Sequence, residues 1–210
     1  MNVTFPAPDL SLLENWLHLY LYHFRQPHFL KSLLFEESGH DIKSTIQHAC
    51  RQIPDARIAL QQPWVSVALQ WTESAGNTVL PLYCPRYPPL LLQIPDPPAV
   101  LFVKGSASSL SLPQIAMVGS RHPSPDGRTT ASALAASICR AGFTVTSGLA
   151  YGIDAQCHQS ALDNQGSTIA VLGSGVDSIY PQKHRSLAQA ITGRGALVSE
   201  FLPTAHARGW

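Results

Sequence analysis

Charge is what this 210-residue sequence has least of. Asp, Glu, Lys and Arg together make up 13% of it, and 14 Lys and Arg against 13 Asp and Glu leave a formal net charge of +1. Soluble domains usually carry about 25% charged residues, so the surface has room for a partner. With no basic excess, nucleic-acid binding would have to rest on a local patch, not on the bulk field. Four cysteines, Cys50, Cys84, Cys139 and Cys157, form no C-x-x-C pair, and the nine histidines include no H-E-x-x-H, so no metal site is expected. No uninterrupted apolar run is long enough to span a bilayer, and no basic segment leads into an apolar one at the N-terminus. The expectation is a cytoplasmic protein without a membrane contact. The P-loop pattern G-x-x-x-x-G-K-[ST] is missing as well.

What is there begins with helices. Ser11 and Glu14 fit a capping box ahead of Leu13, Trp16, Leu17, Tyr20 and Leu21 at helical spacing. A second apolar set is Phe29, Leu30, Leu33 and Leu34, a third helix covers Ile42 to Cys50, and a fourth helical signal from Ala56 to Glu73 is interrupted by Pro63. Trp16, His18, Tyr20, Tyr22, His23 and Phe24 invite a base-stacking reading, but aromatics at helical spacing are far more often core. A helix–turn–helix grip on a nucleic-acid backbone would want a glycine-rich turn, and Gly39 stands alone. Residues 1–77 therefore read as a small helical module.

Seven prolines between Pro81 and Pro98 exclude helix there. The large apolar residues among them point to an ordered strap packed on the following domain, and Ala99 to Val103 reads as a strand. From there strands and helices alternate. Ile115 to Val118 reads as a buried parallel strand. Ser124-Pro125-Asp126 starts a helix with a capping serine, a proline at the first helical position and an acid in the first turn. Ala131, Leu134, Ala135 and Ile138 give that helix one apolar face, and Gly142 ends it. Phe143–Thr146, Thr168–Leu172 and Ala196–Ser199 are further strands. Residues 78–210 thus read as an α/β domain with a doubly wound, mostly parallel sheet.

Three glycine loops follow these strands: Gly119-Ser120-Arg121, Ser147 to Asp154, and Gly173 to Pro181. In such a sheet they gather at the carboxyl edge, where ligands bind. Small residues let backbone amides approach an anion, and Arg121 adds a planar cation suited to phosphate. Arg128, Lys183, His184 and Arg185 could extend the same rim. Gly173-Ser174-Gly175-Val176-Asp177-Ser178 is a partial dinucleotide fingerprint with serine in place of the third glycine, which counts against a dinucleotide cofactor. No cofactor is expected. The glycines could equally be plain turns. Asp154 and His158, at i and i+4, are either an acid–base pair or a cap and a packing histidine. Tyr180 either stacks on a base or packs.

At these positions the chain resembles the DNA-processing protein A family, also called Smf or DprA. The matching residues are Tyr87-Pro88, Asp96-Pro97-Pro98, Lys104-Gly105, Val118-Gly119-Ser120-Arg121, Ser147-Gly148-Leu149-Ala150, Gly152-Ile153-Asp154, His158, Thr168 to Val171, Gly173, Gly175, Asp177, Tyr180-Pro181 and Ser199-Glu200. The resemblance covers about Leu82 to Glu200. It implies an extended Rossmann-like fold, with the N-terminal module where the family often carries a sterile-alpha-motif-like domain. It implies a non-enzymatic protein of natural transformation that binds incoming single-stranded DNA and helps to load the RecA recombinase, with a homodimer as a further partner. The DNA rim would be Gly119, Ser120, Arg121, Ser147, Gly148, Gly173, Ser174, Gly175, Tyr180 and Lys183, with Asp154, His158, Asp177 and Glu200 as structural support. Gln182 stands where the family commonly has lysine, and Lys183 comes next. The family continues with a Phe-Pro-x-Arg-Asn-Arg segment and further elements, so the chain reads as C-terminally truncated. Two other readings stand beside this one. One is a glycine-loop Rossmann-type enzyme acting on a nucleotide or phosphoribosyl bond through Asp154 or Glu200; the other is a non-functional fragment.

Overall fold

A computed structural model describes residues 9–23, 27–35 and 41–207. Phe24 and Gly39 lie outside them. The chain divides into two compact units: residues 1–73 with 81–100, and residues 74–80 with 101–210.

The first unit holds four helices, α1 (Leu10–Tyr22), α2 (Pro27–Phe35), α3 (Ile42–Cys50) and α4 (Asp55–Trp71). Of the periodic residues of α1, Leu13, Trp16, Leu17 and Tyr20 are buried and Leu21 is half-buried; His18 and Leu19 are buried as well. Its cap is Asp9, whose carboxylate accepts the Leu12 amide at 3.1 Å, and not Ser11. A carboxylate satisfies one otherwise orphaned amide and complements the positive helix end, which a hydroxyl does less well. Asp41 caps α3 in the same way.

Helix α4 corrects the expectation of a break, because it runs unbroken through Pro63. Proline removes one hydrogen bond, the one that residue 63 would give to the carbonyl of Ala59. Ala59 is exposed, so water can take that carbonyl, while Val65 and Ala68 anchor the next turn in the core.

The proline-rich stretch groups with these helices, where the sequence suggested the α/β domain. Long-range polar contacts bind it there. The Trp16 indole donates to Ala99 O at 3.0 Å and Lys31 Nζ to Ile94 O at 3.1 Å, while within the stretch the Tyr87 hydroxyl donates to Pro98 O at 2.6 Å. Prolines cannot donate, but their carbonyls are free to accept. One 3₁₀ turn, Leu91–Gln93, forms inside the stretch.

The six-stranded sheet comprises β1 (Asn77–Pro81), β2 (Val100–Gly105), β3 (Gln114–Ala116), β4 (Thr144–Ser147), β5 (Thr168–Val171) and β6 (Ala196–Ser199), in the order β1-β2-β6-β5-β4-β3. Strands β3, β4, β5 and β6 are mutually parallel, and β2 runs antiparallel to β6. Between them lie α5 (Pro125–Arg140), α6 (Ile153–Asp163) and α7 (Arg185–Thr192). Successive strands sit side by side, so right-handed crossovers carry these helices over one face. Met117, Ala131, Ala135, Ile138, Val145, Cys157 and Ala161 form the core beneath α5 and α6. The architecture is α/β and Rossmann-like.

Strand β3 departs from expectation. It ends at Ala116 and stands at one end of the strand order; Ile115 is 38% exposed and Val118, two residues past the strand, 80%. An all-apolar run suits a strand covered on both faces; sheet order has placed this one at an edge instead.

Candidate functional site

The parallel strands bring three loops to one edge. The first two interlock through backbone. Gly152, at φ +81°, packs against the carbonyl of Ser120, where a Cβ would overlap it. The Ile153 amide donates to Ser120 O at 3.1 Å, and a Cβ on Gly119 would come within 2.7 Å of the Ile153 side chain. These glycines allow close approach of two chains. The result is a fixed platform from which Arg121 and His122 project, exposed. Ser120 Oγ accepts the His122 amide at 3.0 Å. Ser124 caps α5 by accepting the Gly127 amide at 3.1 Å, with Pro125 and Asp126 placed as the sequence suggested.

The second loop is turned inward. Asp154 Oδ2 accepts the amides of Gly148 at 3.2 Å and Ala150 at 3.3 Å. The carboxylate thus occupies the cradle that an external anion would need. Ser147 is buried and donates to Met117 O at 2.7 Å. Ser147 and the Gly148 amide, counted as rim donors in the sequence, hold the loop together here.

The third loop splits. Gly173 is exposed, with open space around its Cα. Ser174 is buried and donates to Ser178 O at 2.7 Å, while Gly175 is pressed against the carbonyls of Leu202 and Pro203 and donates to Ala205 O at 2.7 Å. Neither Ser174 nor Gly175 faces solvent at the rim. Asp177 pairs with Lys104 at 2.6 Å, and Glu200 is exposed just past β6. Beyond them Tyr180 stands 65% exposed, joined to Pro181 by a cis peptide, and Lys183 and Arg185 are exposed at the start of α7.

Two residues join the second loop to the third. His184 Nδ1 faces Leu149 O at 2.9 Å, so it carries the proton and donates. The Tyr151 ring meets His184 edge-on at 5.0 Å and is 41% exposed. Tyr151 was missed in the sequence; its place directly before Gly152 is the signal that could have found it.

Asp154 and His158 do not face each other as an acid–base pair. His158 is fully buried, and Nδ1 lies 2.7 Å from Thr168 Oγ1. That hydroxyl gives its own proton to Val145 O, so His158 Nδ1 must donate. Nε2 is left bare and without a partner. Burial, with the nearby His184, lowers the His158 pKa to about 4, which keeps the ring neutral. Burial also raises the Cys157 thiol to about 11, and it raises Cys50 and Cys139. Among the described residues no three His, Cys, Asp or Glu gather as a metal site, and no helix is long and apolar enough to cross a membrane.

Residues 78–210 match the family model for DNA recombination-mediator protein A. The chain is similar to Protein Smf of Escherichia coli K12, at 41% identity over 92% of this chain and 48% of that protein. It is similar to DNA processing protein DprA of Bacillus subtilis 168, at 37% identity over 69% of this chain and 48% of that protein. The chain spans about half the length of these curated relatives. Among solved structures it resembles the X-ray structure of DNA processing protein A from Streptococcus pneumoniae, with TM-score 0.61 and 27% identity over 95% of this chain and 66% of that one. It also resembles DNA processing protein A from Helicobacter pylori, whose structure describes a single-stranded DNA binding mode, with TM-score 0.53 and 28% identity over 60% of this chain and 55% of that one. On the sequence, the fold and the loop arrangement together, this chain belongs to the DNA recombination-mediator protein A family.

Proposed function

We propose that this chain is a single-stranded DNA-binding accessory protein of DNA uptake in natural transformation, one that aids RecA loading and catalyses no reaction itself. The observation that carries this reading is Arg121, exposed on a backbone-locked loop platform at the carboxyl edge of the sheet, with Tyr180 and Lys183 exposed on and just after the third loop of the same edge. Cations beside exposed aromatics suit a strand with accessible bases: the cations track phosphates, and the rings stack without regard to sequence. Gly119, Ser120 and Gly173 offer the close backbone approach, and Tyr151 widens the aromatic surface. Asp154 and His158 are bound to neighbouring groups of the protein, which favours binding over acid–base chemistry at this edge.

The finer parts belong to the same proposal. Residues 1–77 act as a helical accessory module to a DNA-binding domain of residues 78–210. The protein works in the cytoplasm and self-associates. The test is fluorescence anisotropy with a labelled oligothymidine at two salt concentrations. Binding that weakens with salt and drops in Arg121→Ala is expected; no binding at low salt would overturn the reading.

A further inference from the structure

We infer that His184 is a positioning residue of the DNA rim: through Leu149 it fixes the turn that carries Lys183 against the loop that locks Arg121, so that the two cations meet a strand as a preformed pair. This role rests on the single-stranded DNA reading above.

Lys183 lies on a short 3₁₀ turn, Gln182–His184, ahead of α7. Gln182 and Lys183 are exposed and His184 is half-buried, so the turn sends its cation out and its imidazole in. Helix α7 is anchored only further along, by Ala188 and Ile191. The second loop holds the turn itself. His184 Nδ1 donates to Leu149 O at 2.9 Å, and the Tyr151 ring meets the imidazole edge-on at 5.0 Å. Two residues of one loop thus bracket one ring.

The receiving carbonyl is held with care. Leu149 is fully buried and lies at φ +61°, a left-handed conformation that leucine adopts only where its surroundings impose it. Asp154 imposes it by accepting the amides on either side, those of Gly148 and Ala150. Strain of this kind collects at ligand clamps and switch regions. Leu149 is buried, and what its carbonyl reaches is His184.

The same loop runs on to Ile153, whose amide donates to Ser120 O at 3.1 Å, directly before Arg121. A continuous set of hydrogen bonds therefore connects Arg121, the second loop and the turn of Lys183. Cations already held at a fixed separation lose little freedom when they meet a phosphate chain, so less ordering opposes binding.

A double-mutant cycle with labelled oligothymidine, read by fluorescence anisotropy, tests this. His184→Phe keeps a ring beside Tyr151 and removes the donor. It should weaken binding by roughly three- to tenfold, the scale of coupling between neighbours, with circular dichroism unchanged. Lys183→Ala should weaken the parent but add little further loss in the His184→Phe background. His184→Asn should bind nearly as the parent does, because asparagine Nδ2 stands as many bonds from the backbone as histidine Nδ1 and donates likewise. Ring-nitrogen chemical shifts of the parent should show the His184 proton on Nδ1. Equal binding by parent and His184→Phe, a full Lys183→Ala loss in that background, no recovery in His184→Asn, or a bare Nδ1 would each overturn the role of His184 and leave the DNA reading standing. A parent that binds no oligothymidine would overturn that reading and this role with it.

Discussion

The carboxylate of Asp154 accepts the backbone amide of Gly148 at 3.2 Å and so ties the loop after β4 to its own helix. The same oxygen takes the Ala150 amide, and Asp154 is buried. The loop therefore supplies shape, and the cations around it are left to supply affinity.

Removing that carboxylate should loosen the platform. Asp154→Ala leaves two amides without an acceptor, and hydrogen bonds to a charged group are worth about 1.5–3 kcal/mol each, not additively. Urea unfolding should show a loss on the order of 2–3 kcal/mol. An unchanged midpoint would mean that solvent replaces the carboxylate freely.

Gly152 should tolerate no side chain. Its φ is +81°, and a Cβ would overlap Ser120 O. Gly152→Ala combines backbone strain with overpacking and should lower stability by about 1–3 kcal/mol. It should also weaken oligothymidine binding, because Arg121 is held by the same contact. Thermal melts and anisotropy on one preparation read both effects.

The rim residues should behave in the opposite way. Arg121, Lys183 and Tyr180 are exposed, so alanine there should leave the melting temperature nearly unchanged. Losing a phosphate contact from Arg121 or Lys183 should flatten the plot of log affinity against log salt by ~0.7 per contact. Tyr180→Ala should weaken binding by about 1–3 kcal/mol with the salt slope preserved, since stacking releases no counterion. A salt titration of the three variants separates the roles.

His158 predicts a pH dependence. Its folded pKa, about 4, lies below the ordinary histidine value of 6.5, so the unfolded chain binds the proton more readily between these limits. Stability is therefore complete above pH 6.5 and falls as pH drops toward 4. The loss approaches about 3 kcal/mol, since each pKa unit corresponds to about 1.4 kcal/mol. His158→Gln should remove most of this slope. Unfolding free energies at several pH values between 4 and 7 check it; an equal slope in both proteins would assign the effect to other groups.

Much of the site was legible because its signals are local. Ser124-Pro125-Asp126 caps α5 as read, since capping needs only neighbours in sequence. Arg121, Tyr180 and Lys183 could be placed on strand-to-helix loops by alternation alone. The burial of Ser147, Ser174 and Gly175 was not legible. Their partners are Met117, Ser178 and Ser199, and the carbonyls of Leu202, Pro203 and Ala205, reached mostly across the fold. The cap on α1 failed for a smaller reason: Asp9 and Ser11 compete within two residues, and geometry chose the carboxylate.

By itself the sequence determined the alternation of strands and helices, the three glycine loops and the family, because periodicity, capping chemistry and motif order are written in residues close together along the chain. Only the tertiary structure decided which loop amides are free, that the proline stretch joins the helices, and that β3 stands at an edge. Those outcomes depend on which distant segments meet. An apolar run such as Ile115–Val118 reads the same whether its neighbour is a strand or open solvent, and sheet order alone sets the difference.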